Sequence, residues 1–432
     1  GQYMVGRVMI RNNRMTQDKV IRRQVRGLEP GRPFDTTGIE TTERRIRGSG
    51  LFDEAKITLL GDEDQEVRDV LIEVKEAQTG SISLGAAISS DSGIFGAFDL
   101  TQRNFDIADV PESWSEFITG RAFRGAGQFF SLTLQPGDEF QRYQVNFREP
   151  YLLDSDYFFD TNLFFFTRDR SEYDEQRIGG TGRIGKRFGD VWSASVRARW
   201  EQVKVKNIET DAPTDVFDVE GESVIDSFGL FLSRSTVQTD RHFLPYKGTR
   251  TELSLSRAGV LGGDFDFTRA AVEFNAYVTL DEDFFGRKTT LRLRSESGYI
   301  FEDDEAPIFE RFYAGGHRSF RGFDFRGVGP RGVTPAGNKS ETPIGGDWLF
   351  LLGLEYNYPI YQEAIRGVFF VDSGTVQEDL GFDEYRVAVG GGLRLLLPFL
   401  GQAPLAFDLA YPVVKQDDDD TRIFSFDVAL PF

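Results

Sequence analysis

The sequence predicts a mainly β fold: a sixteen-stranded antiparallel transmembrane β-barrel over residues 78–432, preceded by one small α+β domain over residues 1–77. Three observations predict it. From residue 78 onward apolar side chains recur at every second position, the period of a strand with two unlike faces. Sixteen such segments can be placed, and an even number is what bacterial antiparallel barrels use. The last of them, Ile423-Phe424-Ser425-Phe426-Asp427-Val428-Ala429-Leu430-Pro431-Phe432, alternates up to a terminal Phe, the usual ending of a bacterial outer-membrane barrel. Pairing the first segment with the last would then satisfy every backbone group inside the membrane.

The elements follow in order. Residues 3–11 alternate as a strand through Tyr3, Val5, Arg7 and Met9, and Thr16 begins a helix carrying Val20, Ile21 and Val25 at helical spacing. A second helix spans about 36–47 and ends at Gly48-Ser49-Gly50; Leu51-Phe52 then lead into strands at 55–60 and 67–75. The order β-α-α-β-β makes one compact unit whose free strand edge can accept an extended peptide as an added strand. Barrel strands are placed near 81–88, 94–102, 115–136, 139–148, 157–168, 176–188, 192–207 and 223–235. The other eight lie near 249–258, 266–280, 289–301, 347–358, 366–376, 385–396, 404–413 and 422–432.

Their faces divide cleanly. Trp192, Ala194, Val196, Ala198 and Trp200 oppose Ser193, Ser195, Arg197, Arg199 and Glu201. Trp348, Phe350, Leu352, Leu354, Tyr356 and Tyr358 oppose Asp347, Gly353, Glu355 and Asn357, and Leu405, Phe407, Leu409 and Tyr411 oppose Ala406, Asp408 and Ala410. In a soluble sandwich the apolar face would be the core; in an outer-membrane barrel it meets lipid and the polar face lines the lumen. Strand count and chain ending favour the barrel, and Trp348, Tyr356, Tyr358 and Tyr361 suit interfacial aromatic girdles.

Composition excludes several classes of function. With no Cys and only His242 and His317 among 432 residues, no disulfide framework, thiolate nucleophile, zinc ribbon or His-rich metal site can be built. No cofactor is expected. No apolar run reaches the roughly 18 residues of a membrane helix. The first residues carry no secretory signal, so a mature chain or a piece of a longer protein is expected. Residues 1–77 hold 14 Lys+Arg and 14 Asp+Glu, so the net −19 belongs to the remainder, which argues against nucleic-acid binding. The acidic runs Asp303-Asp304-Glu305 and Asp417-Asp418-Asp419-Asp420 are expected to be solvated loops.

One long loop stands out. Arg311-Phe312-Tyr313-Ala314-Gly315-Gly316-His317-Arg318-Ser319-Phe320-Arg321-Gly322-Phe323 sets Arg321 among glycines and aromatics that need an enclosed place to pack, and a barrel lumen is one. Most loop arginines are solvated cations. By parity, though, Glu355 faces the interior, and so does Asp372, which shares parity with Arg366. Arg321 carried inward could fork onto both carboxylates. Shorter matches carry less. Asp91-Ser92-Gly93 and Asp372-Ser373-Gly374 resemble the paired triplets of a pepsin-like aspartic protease, but the first reads as a hairpin turn and no second lobe follows. Gly180-Thr181-Gly182-Arg183-Ile184-Gly185 has dinucleotide spacing yet lies in a strand and opens no helix. Asn338-Lys339-Ser340 is a glycosylation triplet without meaning for a bacterial chain, and the two histidines read as hydrogen-bonding loop residues.

Taken together these segments resemble the BamA family of outer-membrane protein assembly factors. Gly50-Leu51-Phe52-Asp53 resembles the turn of a polypeptide-transport-associated (POTRA) domain. Gly80-Ser81, Asn146-Phe147-Arg148-Glu149-Pro150-Tyr151, Phe312-Tyr313-Ala314-Gly315-Gly316, Arg321-Gly322-Phe323, Gly329-Pro330, Gly345-Gly346 and Asp372-Ser373-Gly374-Thr375-Val376 are similar to barrel segments of that family. The resemblance implies a bacterial outer-membrane location with the POTRA domain in the periplasm. It implies a sixth extracellular loop, about 311–346, folded into the barrel, in which Arg321, Gly322 and Phe323 meet Glu355 and Asp372. A lateral gate would lie between first and last strands, at Ser83, Gly85 and Ala86 against Phe424, Phe426, Val428 and Phe432. Its partners would be unfolded outer-membrane β-barrel clients, periplasmic assembly lipoproteins with other subunits of an assembly complex, and outer-membrane lipid, with no nucleic acid. Family members carry several POTRA domains and this chain shows one. The expected activity is mechanical insertion, without enzymatic chemistry. The alternatives are a two-partner secretion transporter exporting a polypeptide through the lumen, a translocation and assembly module barrel, and a plain porin.

Overall fold

The computed structural model describes residues 3–62, 65–240, 244–301, 306–362, 364–396 and 405–431. His242, the run Asp303-Asp304-Glu305 and Phe432 lie outside the described residues. The chain divides into two compact units, Gly1–Ile82 with Asp99–Leu132 and Val145–Thr161, and Ser83–Phe98 with Thr133–Gln144 and Asn162–Phe432.

In the first unit, β1 (Met4–Arg11) runs parallel to β3 (Val67–Glu76), which pairs antiparallel with β2 (Phe52–Leu60), giving the sheet order β1-β3-β2. Helices α1 (Asp18–Arg22) and α2 (Thr36–Gly48) pack on it over a core that includes Val8, Ile21, Leu28, Ile46, Phe52 and Ile72. Asp35 caps α2 by accepting the Thr37 N–H at 2.9 Å. The first helix is shorter than its apolar spacing predicts, because three of its potential members, Val20, Ile21 and Val25, are β-branched and the chain turns at Arg23–Gln24. Backbone bonds from residues 31–34 cover the outer edge of β1, so β2 forms the other edge of the sheet.

The unit also contains turns that follow barrel strands, and these bind the α+β domain closely. Asn104 donates to the Thr16 hydroxyl and accepts the Gly127 N–H, both at 2.9 Å. The Gln17 N–H reaches the Gly125 carbonyl at 2.9 Å, and the Arg23 guanidinium lies 4.4 Å from the centre of the Tyr151 ring.

The barrel closes as predicted. Its strands are β4 (Gly80–Ser89), β5 (Gly93–Phe105), β6 (Gln128–Gln135), β7 (Phe140–Glu149), β8 (Tyr157–Asp169), β9 (Asp174–Phe188), β10 (Trp192–Lys206) and β11 (Gly221–Ser235). They continue as β12 (Pro245–Ala258), β13 (Thr268–Glu282), β14 (Lys288–Phe301), β15 (Trp348–Tyr361), β16 (Ile365–Gln377), β17 (Arg386–Leu395), β18 (Leu405–Val414) and β19 (Phe424–Pro431). The two residues Gln238–Thr239 extend the pairing of β11 along β12. One strand departs from expectation. The segment 115–136 is not a single strand: Trp114–Ile118 is helical and β6 begins at Gln128. Gly120, Phe123, Gly125 and Gly127 all take positive φ, which no extended run tolerates.

The faces follow the alternation. Trp200, Leu354, Leu409 and Tyr411 are exposed on the lipid side, whereas Glu201, Asp372, Arg366, Asp408 and Ala410 are buried on the other. Residues of the loop after β14 occupy part of that inner face. Phe312, Ala314, Phe320, Phe323 and Val328 pack with Ile300, Leu349, Leu351, Val376 and Ala388 in one buried cluster.

Candidate functional site

Arg321 reaches the inner wall at the centre of this loop. Gly322 follows at φ +93°, and a Cβ there would sit 3.0 Å from that of Ala388, so glycine lets the backbone come close to β17. The guanidinium grips Asp372 on β16 with two nitrogens, Nε to Oδ2 at 2.7 Å and Nη2 to Oδ1 at 2.9 Å, while Nη1 reaches Glu355 Oε2 on β15 at 2.6 Å. Its own backbone N–H also points to Asp372 Oδ2, at 3.3 Å. The cation lies 3.4 Å from the ring centre of Phe370, a position sequence parity alone does not single out. Burial works against the charge of Arg321, but the bond and charge of Asp372 and the charge of Glu355 outweigh it and hold the group more strongly protonated than usual. Phe323 is buried in the cluster described above.

The network continues past these three residues. Arg394 on β17 grips Asp408 on β18 at 2.7 and 3.1 Å and lies 3.9 Å from Glu355, while His317 Nδ1 stands 3.2 Å from Asp408. A cavity of about 270 Å³ opens beside it, lined by Arg292, Arg294 and Arg318 among others.

A second anchor lies at the start of the loop, and the sequence reading missed it. Glu310 accepts from Arg199 at 2.9 and 2.8 Å and from Arg177 at 3.2 Å; both arginines also bond Glu201 on β10, and Arg177 bonds Glu175 on β9. Burial would raise the Glu310 carboxyl, yet Arg199 and Arg177 hold it down at about 2. The signal available in the sequence was the charged inner face of β10, Arg199 and Glu201; no local pattern marks Glu310 as its partner.

In the acidic run Asp417–Asp420 three residues, Asp417, Asp418 and Asp420, are exposed as the solvated-loop expectation has them, and Asp419 departs from it. The Asp419 side chain is buried against Arg386 at 2.9 Å, while the exposed Asp420 meets Arg331 at 3.0 Å and Asp418 meets Lys339. The two Asp-Ser-Gly aspartates serve separate arginines: Asp372 holds Arg321 and Asp91 holds Arg422, the latter at 3.1 Å. Among the described residues no group of three or more potential ligands gathers as a metal site.

The seam between β4 and β19 is short. Among the described residues its register comprises Asp427↔Ser89, Val428↔Ile88, Ala429↔Ala87, Leu430↔Ala86 and Pro431↔Gly85. Pro431 has no N–H to give the ladder. On its other side the described residues of β19 pair with β18 over Ala406↔Asp427 to Leu409↔Phe424. Of the residues predicted for a gate, Gly85, Ala86 and Val428 face each other's strands here. Phe424 and Phe426 pair with Leu409 and Phe407, though the Phe426 carbonyl accepts the Ser90 N–H at 3.1 Å. Ser83 is exposed and lies below the paired stretch, and Phe432 is outside the described residues.

The Omp85 superfamily domain matches residues 122–432, and the POTRA model, described as a surface antigen variable number repeat, matches residues 3–77. The chain belongs to the Omp85 superfamily. As an Omp85 barrel with a POTRA domain it is an outer-membrane protein with a periplasmic domain. Two relatives are named outer membrane protein assembly factor BamA. The protein of Nitratidesulfovibrio vulgaris is 25% identical over 99% of this chain and 51% of its own length, and that of Neorickettsia risticii 25% identical over 100% and 55%. The chain thus spans about half the length of these curated relatives. Among solved structures it is similar to BamA from Haemophilus ducreyi lacking POTRA domains 1–3, with TM-score 0.73, 21% identity and coverage of 100% of this chain and 85% of that one. It is also similar to CdiB from Acinetobacter baumannii, with TM-score 0.65, 12% identity and coverage of 100% and 74%. These two likenesses concern the Omp85 fold.

Proposed function

We propose that the chain is an outer-membrane protein assembly factor that folds and inserts client β-barrels through a lateral gate between β4 and β19. The observation that carries this reading is the seam, whose pairing among the described residues covers five residue pairs, with the Ser90 N–H meeting the Phe426 carbonyl just beyond them. Freeing one edge of β19 at this seam exposes a strand edge while the other fifteen junctions of the barrel stay paired. An exposed edge templates an incoming strand by main-chain hydrogen bonds, and bonds lost at the seam are replaced by bonds to the client.

The work is then mechanical, with no chemical step. The Arg321 loop supports the reading by filling lumen next to β15, β16 and β17, which leaves the wall as the route for a client and disfavours export through the lumen. Clients would be unfolded outer-membrane barrels, delivered with the help of periplasmic lipoproteins and other subunits of an assembly complex. Reconstitution in liposomes tests this: the purified chain should speed the appearance of protease-protected, folded client barrel. Translocation of an unfolded polypeptide into the liposome lumen, without barrel insertion, would move the assignment to the exporter.

A further inference from the structure

Asp91, of the first Asp-Ser-Gly triplet, sits where the seam ends. It forms the turn between β4 and β5, two residues beyond Ser89, the last seam residue paired with β19. One carboxylate oxygen accepts the His317 N–H at 2.9 Å and the other meets Arg422 Nη1 at 3.1 Å. The Ser90 hydroxyl also lies 3.3 Å from Asp91 Oδ1, and Arg168 donates to the Asp91 carbonyl while stacking 4.2 Å from the Phe325 ring centre. Gly316 must be glycine for this approach: it takes φ +93°, and a Cβ there would stand 2.6 Å from Asp91 Oδ2.

Arg422 joins the remaining pieces. Besides Asp91 it reaches the Ser90 carbonyl and, at 2.6 Å, Asp324 of the inward loop. It lies just before β19, in the pair Thr421–Arg422 that runs antiparallel to Gly322–Phe323. Three segments that must part for the seam to open from this end therefore meet at one guanidinium: the turn after β4, the approach to β19, and the loop that Arg321 anchors. Both partners are largely shielded, with side chains 12% and 28% exposed, so the pair is not a screened surface contact.

We infer that Asp91 and Arg422 are positioning residues that clasp the outer end of the seam and couple its closure to the seating of the Arg321 loop. The inference rests on the lateral-gate reading and adds the residues that set how often the gate opens. Five seam pairs at that end, clasped, stay closed; the same pairs unclasped fray from the top. Loop displacement carries Asp324 and Gly322–Phe323 away from Arg422 and loosens the clasp without any change in β4 or β19 themselves.

Hydrogen–deuterium exchange on the full chain in nanodiscs tests it. Asp91→Ala and Arg422→Ala should each accelerate exchange of the Ser83–Ser89 amides about tenfold, leave β9 and β10 unchanged, and show no further gain when combined, because the two act as one unit. Asp91→Asn keeps an acceptor for the His317 N–H and removes the charge facing Arg422; it should give a smaller acceleration confined to the same strand and serves if the alanine variants fold poorly. Unchanged seam exchange in a folded Asp91→Asn or Asp91→Ala protein overturns the clasp, as does acceleration spread evenly around the barrel. An Ile88→Cys/Val428→Cys disulfide separates this from the underlying reading. If that lock stops client insertion while Asp91 variants leave the seam unchanged, the gate stands and the clasp falls. If the lock changes nothing, the gate reading falls and the clasp with it.

Discussion

The wall around β9 and β10 and the seam between β4 and β19 are built from the same backbone ladder and hold very differently. Between β9 and β10 fifteen successive residues pair, from Trp192↔Phe188 to Lys206↔Asp174, and the inner face adds Glu175, Arg177, Arg199 and Glu201 in one ion network closed by Glu310. At the seam five pairs are described. Among the described residues the seam has about ten fewer ladder pairs, each contributing about 1 kcal/mol net. A closed barrel can thus keep its shape on one side and concentrate its compliance on the other, and the inward loop touches both: Glu310 ties it to the wall, and Arg321 and Arg422 tie it toward the seam.

The largest effect should come from cutting the tie on the seam side. Arg321→Ala leaves the buried Asp372 without its two-pronged cation and Glu355 with Arg394 at 3.9 Å, a loss of about 3–5 kcal/mol for pairs of this kind. The barrel should still reach the membrane, but its heat-resistant mobility in cold detergent gels should weaken and client assembly should fall at least tenfold. Arg321→Lys, which keeps the charge and loses the two-pronged grip, should fall between. Normal client assembly by a well-folded Arg321→Ala protein would remove the loop from the mechanism.

Cutting the tie on the wall side should be milder and different in kind. Glu310→Gln keeps the shape and removes the charge that Arg199 and Arg177 share, a loss of about 1–3 kcal/mol. Protease sensitivity of the loop around residues 331–343 should rise while amide exchange in Ser83–Ser89 stays as in the parent. Equal acceleration at the seam would mean that wall and seam respond as one body and that the contrast drawn here is false.

Acid should reveal the same wall tie. Glu310 is held at about 2 against an ordinary 4.5, so its contribution is fully present above pH 4.5 and is lost as the pH falls toward 2. Loop protection from protease should be flat between pH 5 and 8, to about a unit, and should drop only in the acid range; in Glu310→Gln that acid step should shrink. The smallest effect belongs to Lys339, an exposed residue paired with Asp418. Lys339→Ala should leave both melting and client assembly unchanged.

Much of this was legible in the chain because a barrel strand has period two and one wet face. That parity alone placed Glu355 and Asp372 on the inner wall, and glycines around Arg321 marked a loop with somewhere to go. Strand 115–136 was misjudged because alternation continues through Phe123 and Gly125, where only positive φ breaks the strand. Partners distant in sequence left no trace: nothing near Glu310 points to Arg199, and nothing near Asp91 points to Arg422. The acidic run 417–420 reads correctly as solvated at Asp417, Asp418 and Asp420, and Asp419 departs because the arginine that buries it, Arg386, comes from another strand. Seam length was also hidden, because strand propensity says where a strand can run and not how much of it finds a partner.

The central claim is that clients enter the membrane through the seam, and locking it tests that claim most directly. Ile88 and Val428 are directly paired across the seam, and the chain has no native Cys to interfere. With Cys at both positions, oxidation should stop client insertion into liposomes and reduction should restore it, while each single variant works throughout. Undiminished insertion by the oxidised, cross-linked barrel would contradict the account and make the lumen the path.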